Sequence, residues 1–148
     1  MMLPRLLASG FCAGYAPVAP GTAGSLAGLL VGALLLGFGH LPVAVAVLAV
    51  SAAGLWAITA LDEGHADPGW IVIDEIAGQM IPLLALSHVS VVGLGLAFVA
   101  FRFFDITKLG PIGWVDGRHD VRGVMGDDWL AGIAAAILLL LVRLVWPL

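Results

Sequence analysis

Ionisable side chains in this chain stand at the ends of long apolar segments, and that placement constrains the fold more than any other feature. Apolar stretches run from Ala23 to Phe38, Leu41 to Leu61, Ile76 to Phe104 and Trp129 to Trp146. Asp67, Asp74, Glu75, Asp105, Asp127 and Asp128 lie at their edges, with Arg102 and Lys108 among them. A helix needs about 20 apolar residues to cross a bilayer core, so the second and fourth stretches suffice and the first is slightly short. With a mean hydropathy of +1.11, the chain is not an ordinary soluble protein. The expected fold is an all-α integral membrane protein, a compact bundle of about four to five membrane-embedded helices. At 148 residues it is read as a single domain, 1–148. Carboxylates are costly in such a setting unless paired, hydrated or bound, so their presence points to a function at the membrane surface.

Along the chain, Met1 to Arg5 is too brief for a cleavable signal, and the Gly/Pro-rich stretch that follows is no apolar h-region. Residues 8–25 carry Gly10, Gly14, Pro17, Pro20, Gly21 and Gly24 and read as a structured loop. Thr22 and Ser25 close it as helix starters before the first span. A turn is expected at Gly39–Pro42, and a polar loop at Asp62–Gly69. The stretch 76–104 would be about 43 Å long as one helix, too long for a comfortable single pass. A short helical hairpin turning at Ser87–Ser90 instead returns Asp74–Glu75 and Asp105 to one face, through arms of about 18–22 Å that are tilted or partly re-entrant. That arrangement gathers Arg5, Arg102, Lys108, Arg118 and Arg122 on one side and leaves Arg143 toward the other. The excess of bases marks the first side as cytoplasmic, so a multi-pass protein of the inner membrane with its acids facing the cytoplasm is expected.

Three segments carry chemistry. In Ile71-Val72-Ile73-Asp74-Glu75-Ile76-Ala77-Gly78, two adjacent acids open an apolar helix. Acids there either cap free amides and oppose the helix dipole, or serve as ligands. In Phe101-Arg102-Phe103-Phe104-Asp105-Ile106-Thr107-Lys108, the two bases and Asp105 are three apart and fall near one helix face. They form either a salt-bridged helix end or a carboxylate ligand beside two cations that bind phosphate oxygens. The aromatic residues Phe101, Phe103 and Phe104 would seat this segment at the interface. In Gly126-Asp127-Asp128-Trp129, adjacent acids begin the last span, with capping again the plain alternative. Three acidic clusters on one face suit Mg²⁺, a hard cation that takes one or two carboxylates plus substrate phosphate. The absence of Cys/His pairs argues against zinc.

Other residues carry less. Thr22 and Ser25 could accept a phosphate at a helix N-terminus or merely cap it. His65 beside Asp67 is an acid–base candidate, whereas His40 and His88 read as polar turn residues at the opposite end. The one cysteine, Cys12, forms no internal disulfide and reads as a small buried side chain. Ten acids against six bases, without a basic run, give no support for a nucleic-acid partner.

Together these segments resemble the phosphatidylglycerophosphatase A family. The resemblance covers most of the chain: Ala19-Pro20-Gly21-Thr22-Ala23-Gly24-Ser25, then Asp67-Pro68-Gly69 with Ile71 to Gly78, then Phe101 to Lys108, then Asp127-Asp128-Trp129-Leu130-Ala131-Gly132. Leu109 stands where the family usually has a proline, while Pro111 keeps the second one. The resemblance implies Mg²⁺-dependent hydrolysis of phosphatidylglycerophosphate to phosphatidylglycerol in phospholipid biosynthesis. It implies Asp74, Glu75, Asp105, Asp127 and Asp128 as acidic site residues, with Lys108 as the site lysine; Arg102, from its charge and its place on the same helix face, is expected on the substrate beside it. The expected partners are this lipid substrate and the bilayer.

Two other readings compete. A CDP-alcohol phosphatidyltransferase needs Asp-Gly-x-x-Ala-Arg and later two Asp four apart. Asp116-Gly117 is followed by Arg118-His119-Asp120-Val121, and Asp127-Asp128 are adjacent, so the motif fails. A carboxylate-lined ion transporter or channel subunit would place its acids near the membrane midplane, whereas these cluster at span ends.

Overall fold

The computed structural model of the chain describes residues 2–62, 68–146 and 148, and among these every regular element is helical. The α-helices are α1 (Met2–Ala8), α2 (Pro20–Leu36), α3 (His40–Leu61), α4 (Ile73–Met80), α5 (Val91–Thr107), α6 (Pro111–Asp116) and α7 (Val121–Arg143). Short 3₁₀ stretches lie at Ala13–Tyr15 and Ile81–Ala85.

Local chemistry accounts for the main breaks. Pro20 opens α2 at a position where its missing N–H costs nothing. Pro82 cannot donate within an α-helix, and there α4 gives way to the 3₁₀ stretch Ile81–Ala85. Leu86 is then extended, and Ser90 caps α5 by accepting from the Gly93 N–H at 3.0 Å. The chain therefore does turn at 86–90, within the stretch 76–104. Asp74–Glu75 and Asp105 end up at the same end of the bundle.

The opposite end is tied to this turn by two long-range contacts. His40 Nε2 lies 2.8 Å from the Leu86 carbonyl oxygen, and Arg143 donates to the Ala85 carbonyl at 2.7 Å. The turn lies at 37–39 rather than across Gly39–Pro42, so His40 opens α3 and acts as a polar group at this end of the bundle, and Arg143 lies away from the acids.

Short α4 is the centre of the fold, with Ile73, Asp74, Ala77, Gly78, Gln79 and Met80 buried. Glycines let its neighbours approach. A Cβ on Gly24 of α2 would lie 2.7 Å from Val72 Cβ, and one on Gly28 would lie 2.5 Å from the Ile76 carbonyl oxygen. Such small-residue faces allow close backbone contact where apolar burial alone gives little drive between helices. Gly21, Gly24 and Ser25 are consequently helical, not part of a loop ending at Ser25. Glycine content signalled helix–helix contact there, not chain reversal.

Two described helices, α3 and α7, are long and apolar enough to cross a membrane by length and composition, and α2 is a shorter apolar helix. Only 28% of the most apolar stretch of α3 is buried inside the protein, against 50% for α7. Leu30, Leu34, Leu41, Leu48, Val99 and Leu141 project from the surface. A surface this apolar suits a lipid surround.

Three local expectations are corrected. The last helix begins at Val121, well before Trp129, because Asp120 rather than Asp127 caps it: Asp120 Oδ1 accepts from the Gly123 N–H at 2.7 Å. Cys12 is exposed, since Phe11 and Cys12 both adopt left-handed backbone (φ 54° and 78°) in a tight turn that faces the side chain outward. Phe101 is fully buried against Gly78 rather than seated at an interface, while Phe103 remains exposed.

Candidate functional site

Three helices bring the acids together. Asp74 and Glu75 lie in the first turn of α4, Asp105 in the last turn of α5, and Asp127 and Asp128 well inside α7. None of these five caps its helix. Val72 occupies the α4 N-cap with no side-chain bond, and Asp74 Oδ1 instead accepts from the Glu75 N–H at 3.0 Å. Asp74 thus satisfies one free first-turn amide, whereas capping does not account for Asp105, Asp127 or Asp128.

Oxygen atoms of Asp74, Glu75 and Asp128 all lie within 4.8 Å of one another, as do those of Asp105, Asp127 and Asp128. Asp74, Asp105, Asp127 and Asp128 are buried, and Glu75 is partly so. Two bases face this cluster. Arg102 Nη1 pairs with the Asp105 carboxylate and also donates to Ser25 Oγ at 3.4 Å. Ser25 in turn donates to the Gly21 carbonyl at 2.8 Å, so it orients the guanidinium from inside α2. Thr22 lies in the first turn of the same helix, partly buried.

Lys108 ends α5 in a left-handed conformation (φ 49°, ψ 44°), which folds its side chain back across the cluster. Its ammonium pairs with Asp127 and lies 3.4 Å from Asp105 and 3.3 Å from Asp116 on α6. Burial works against the ammonium, but the Asp127 carboxylate, with Asp128 and Asp105 behind it, holds the Lys108 pKa well above the ordinary lysine range. The expected alignment of Arg102, Asp105 and Lys108 is present, and the ion-paired helix end is observed directly. The trio is a salt-bridged helix end and also one wall of the acidic cluster.

The fit of a cation rests on orphaned oxygens. Glu75 Oε2, Asp127 Oδ1 and Asp128 Oδ1 are buried with no hydrogen-bond partner among the described residues. Buried acceptors without donors are rare, and a cluster of them that offers only carboxylate oxygen is the donor set of a hard divalent cation. The residues fit such an ion.

Two residues escaped the sequence reading. Gln79, one helical turn after Glu75, is fully buried, and neither its Oε1 nor its Nε2 has a partner among the described residues. Its signal was a lone amide inside an apolar run. Asp116, in the sequence part only of the failed transferase motif, is delivered by α6 to Lys108. His65 and Asp67 lie outside the described residues.

Residues 6–143 match the family described as Phosphatidylglycerophosphatase A. Phosphatidylglycerophosphatase A of Escherichia coli is 37% identical over 147 residues, covering 97% of this chain and 86% of that protein. The protein of the same name from Haemophilus influenzae is 39% identical, covering 94% of this chain and 88% of its own length. A Bacteroides thetaiotaomicron relative, named provisionally as a phosphatidylinositol-3-phosphatase, is 38% identical and covers 95% and 94%. No solved structure matches the chain.

Proposed function

Because the chain belongs to the phosphatidylglycerophosphatase A family, we propose that it hydrolyses the terminal phosphate of phosphatidylglycerophosphate, giving phosphatidylglycerol, as a Mg²⁺-dependent step of phospholipid biosynthesis. The observation that carries this reading is the buried carboxylate cluster with orphaned oxygens, flanked by two bases. Membership of the family makes the chain a phosphoric monoester hydrolase. The oxygens of Asp74, Glu75, Asp105, Asp127 and Asp128 would hold the ion. When bound, Mg²⁺ would polarise the phosphoryl group and lower the pKa of an attacking water.

The other roles belong to the chain's own groups. Lys108 stays an ammonium at neutral pH, so it serves as fixed positive charge for the phosphoryl oxygens rather than as a proton donor. A guanidinium carries five N–H donors, so Arg102 can keep Asp105 and Ser25 while it also binds a phosphate oxygen. An apolar groove of about 480 Å³, lined in part by Ile73, Ile76 and Met80 of α4, Ala27 and Val31 of α2 and Val50 of α3, flanks the same helix. It suits an acyl chain held beside a headgroup. The chain is read as one multi-pass domain of the inner membrane, and the placing of Arg102 and Lys108 on the acids, with Arg118 on Asp120 at the start of α7, supports this end being cytoplasmic.

The test is phosphate release from phosphatidylglycerophosphate by purified protein in detergent, with Mg²⁺ and with EDTA. A phosphorylated inositol lipid serves as the competing substrate, since one relative is named for that lipid class. Mg²⁺-dependent release that is lost in Asp74→Asn, with insertion intact, supports the scheme. Full activity of Asp74→Asn would remove Asp74 from it. Cation flux without phosphate release would favour the transporter reading.

A further inference from the structure

We propose that the site holds two divalent cations and that Asp128 is the ligand common to both. The inference rests on the cation-dependent reading above and goes beyond it in number and arrangement. One set of oxygens comes from Asp74, Glu75 and Asp128, the other from Asp105, Asp127 and Asp128, each set lying within 4.8 Å. Asp128 is the residue present in both, and it is 3% exposed. Its Oδ1 is buried without a partner among the described residues. Each set also holds an orphaned oxygen that the other lacks: Glu75 Oε2 in the first, Asp127 Oδ1 in the second. The unsatisfied carboxylate oxygens are thus spread over both sets and over the residue that joins them.

The positions of the bases point the same way. Arg102 pairs with Asp105, and Lys108 pairs with Asp127 and reaches Asp105, so the ion pairs within the cluster fall in the second set. No ion pair reaches Asp74, Glu75 or Asp128 among the described residues. Five buried or partly buried carboxylates against two bases leave three negative charges in excess, while Asp116 stands outside this cluster at the half-exposed, solvent-screened rim. One divalent cation would leave the cluster at minus one, which repels a phosphate monoester carrying about −1.5 to −2 near pH 7. Two bring it to plus one, which attracts that substrate. Carboxylates shared between two cations about 3.5–4 Å apart are a recurrent device of phosphoryl-transfer sites.

The experiment uses the full-length protein in detergent, stripped with EDTA and titrated with Mn²⁺ as the probe. Calorimetry gives the stoichiometry, and electron paramagnetic resonance reports whether the ions are coupled through a shared ligand. Phosphate release is followed on the same samples. The expected result is two Mn²⁺ per chain with an exchange-coupled spectrum. Asp74→Asn and Asp105→Asn should each retain one uncoupled ion, and Asp128→Asn should lose the coupled spectrum. One Mn²⁺ per chain in an active protein overturns the two-cation proposal and leaves the cation-dependent reading standing. Two ions without coupling overturn Asp128 as the shared ligand. No binding, together with EDTA-insensitive phosphate release, overturns the underlying reading as well. If Asp128→Asn fails to fold, the wild-type spectrum and the two single-set variants still decide the matter.

Discussion

Gly78 packs so closely on α7 that a Cβ at this position would lie 2.7 Å from the Asp128 carbonyl oxygen and 2.7 Å from Phe101 Cε2. This contact seats α4 against the acidic turn of α7 and so lets Asp74 reach Asp128. The backbone oxygen cannot move aside as a side chain would. Gly78→Ala should therefore cost about 1–3 kcal/mol of stability, the usual range for overpacking, and should reduce phosphate release further than the stability loss explains. Thermal unfolding and activity measured on the same preparation check this. An alanine variant of wild-type stability and activity would show that the helices tolerate separation.

Lys108 is the counter-ion of Asp127 and also reaches Asp105. Lys108→Met should lower kcat by about 10²–10³, the cost of removing one preorganised group that stabilises transition-state charge. Lys108→Arg keeps the charge but replaces a compact ammonium with a broader planar group, and should recover only part of the loss. Equal activity of the methionine and arginine variants would show that the charge itself is not used.

Divalent cations should stabilise the folded protein, because they offset carboxylate charge that the two bases leave unbalanced. At a free concentration about 100 times Kd, a single site adds about 2.7 kcal/mol. Mg²⁺ should raise Tm relative to EDTA in wild type. Asp128→Asn should be more stable than wild type in EDTA and show a smaller Mg²⁺-induced shift. A shift of wild-type size in Asp128→Asn would place the ion elsewhere.

Gln79 holds two buried polar atoms without partners among the described residues, a state that typically costs about 1–3 kcal/mol. Gln79→Leu should raise Tm and lower phosphate release, since the amide sits one turn below Glu75. Higher Tm with unchanged turnover would make Gln79 a feature of packing alone.

Asp120 caps α7 and pairs with Arg118 Nη2 at 2.9 Å. The Arg118 bond and then the Gly123 N–H hold its carboxyl below the ordinary range. A depressed pKa stabilises the fold fully above the unfolded value, about 3.9, and the contribution is lost as pH falls through the folded value. Asp120→Ala should lower Tm at pH 7, Asp120→Asn much less because asparagine also caps. The gap between wild type and Asp120→Ala should close as the pH falls below about 4. A gap independent of pH would show that the charge is not involved.

Hydropathy and residue type made much of this legible along the chain. The helical class, the two longest helices, the turn at 86–90 and the presence of acids and bases at segment ends follow from local pattern. Apolar length and breaker residues act within a few residues of where they stand. The same local logic failed at Asp127, read as a helix start although Asp120 holds the cap and the acids lie inside the helix. It failed too at Gly21 and Gly24, where glycine serves close packing rather than a loop, and at Cys12, which a left-handed turn exposes.

What the sequence determined by itself is composition and period: which segments are helical and apolar, and which few residues are too polar to be there without a reason. What only the tertiary structure decided is which of those residues meet. The two oxygen sets sharing Asp128, the pairing of Lys108 with Asp127, the tie from Ser25 to Arg102 and the burial of Gln79 join elements far apart in the chain. They depend on how closely α2, α4 and α7 approach, which is fixed by glycine contacts between backbones. Period and hydropathy describe one segment at a time and carry no distance between two.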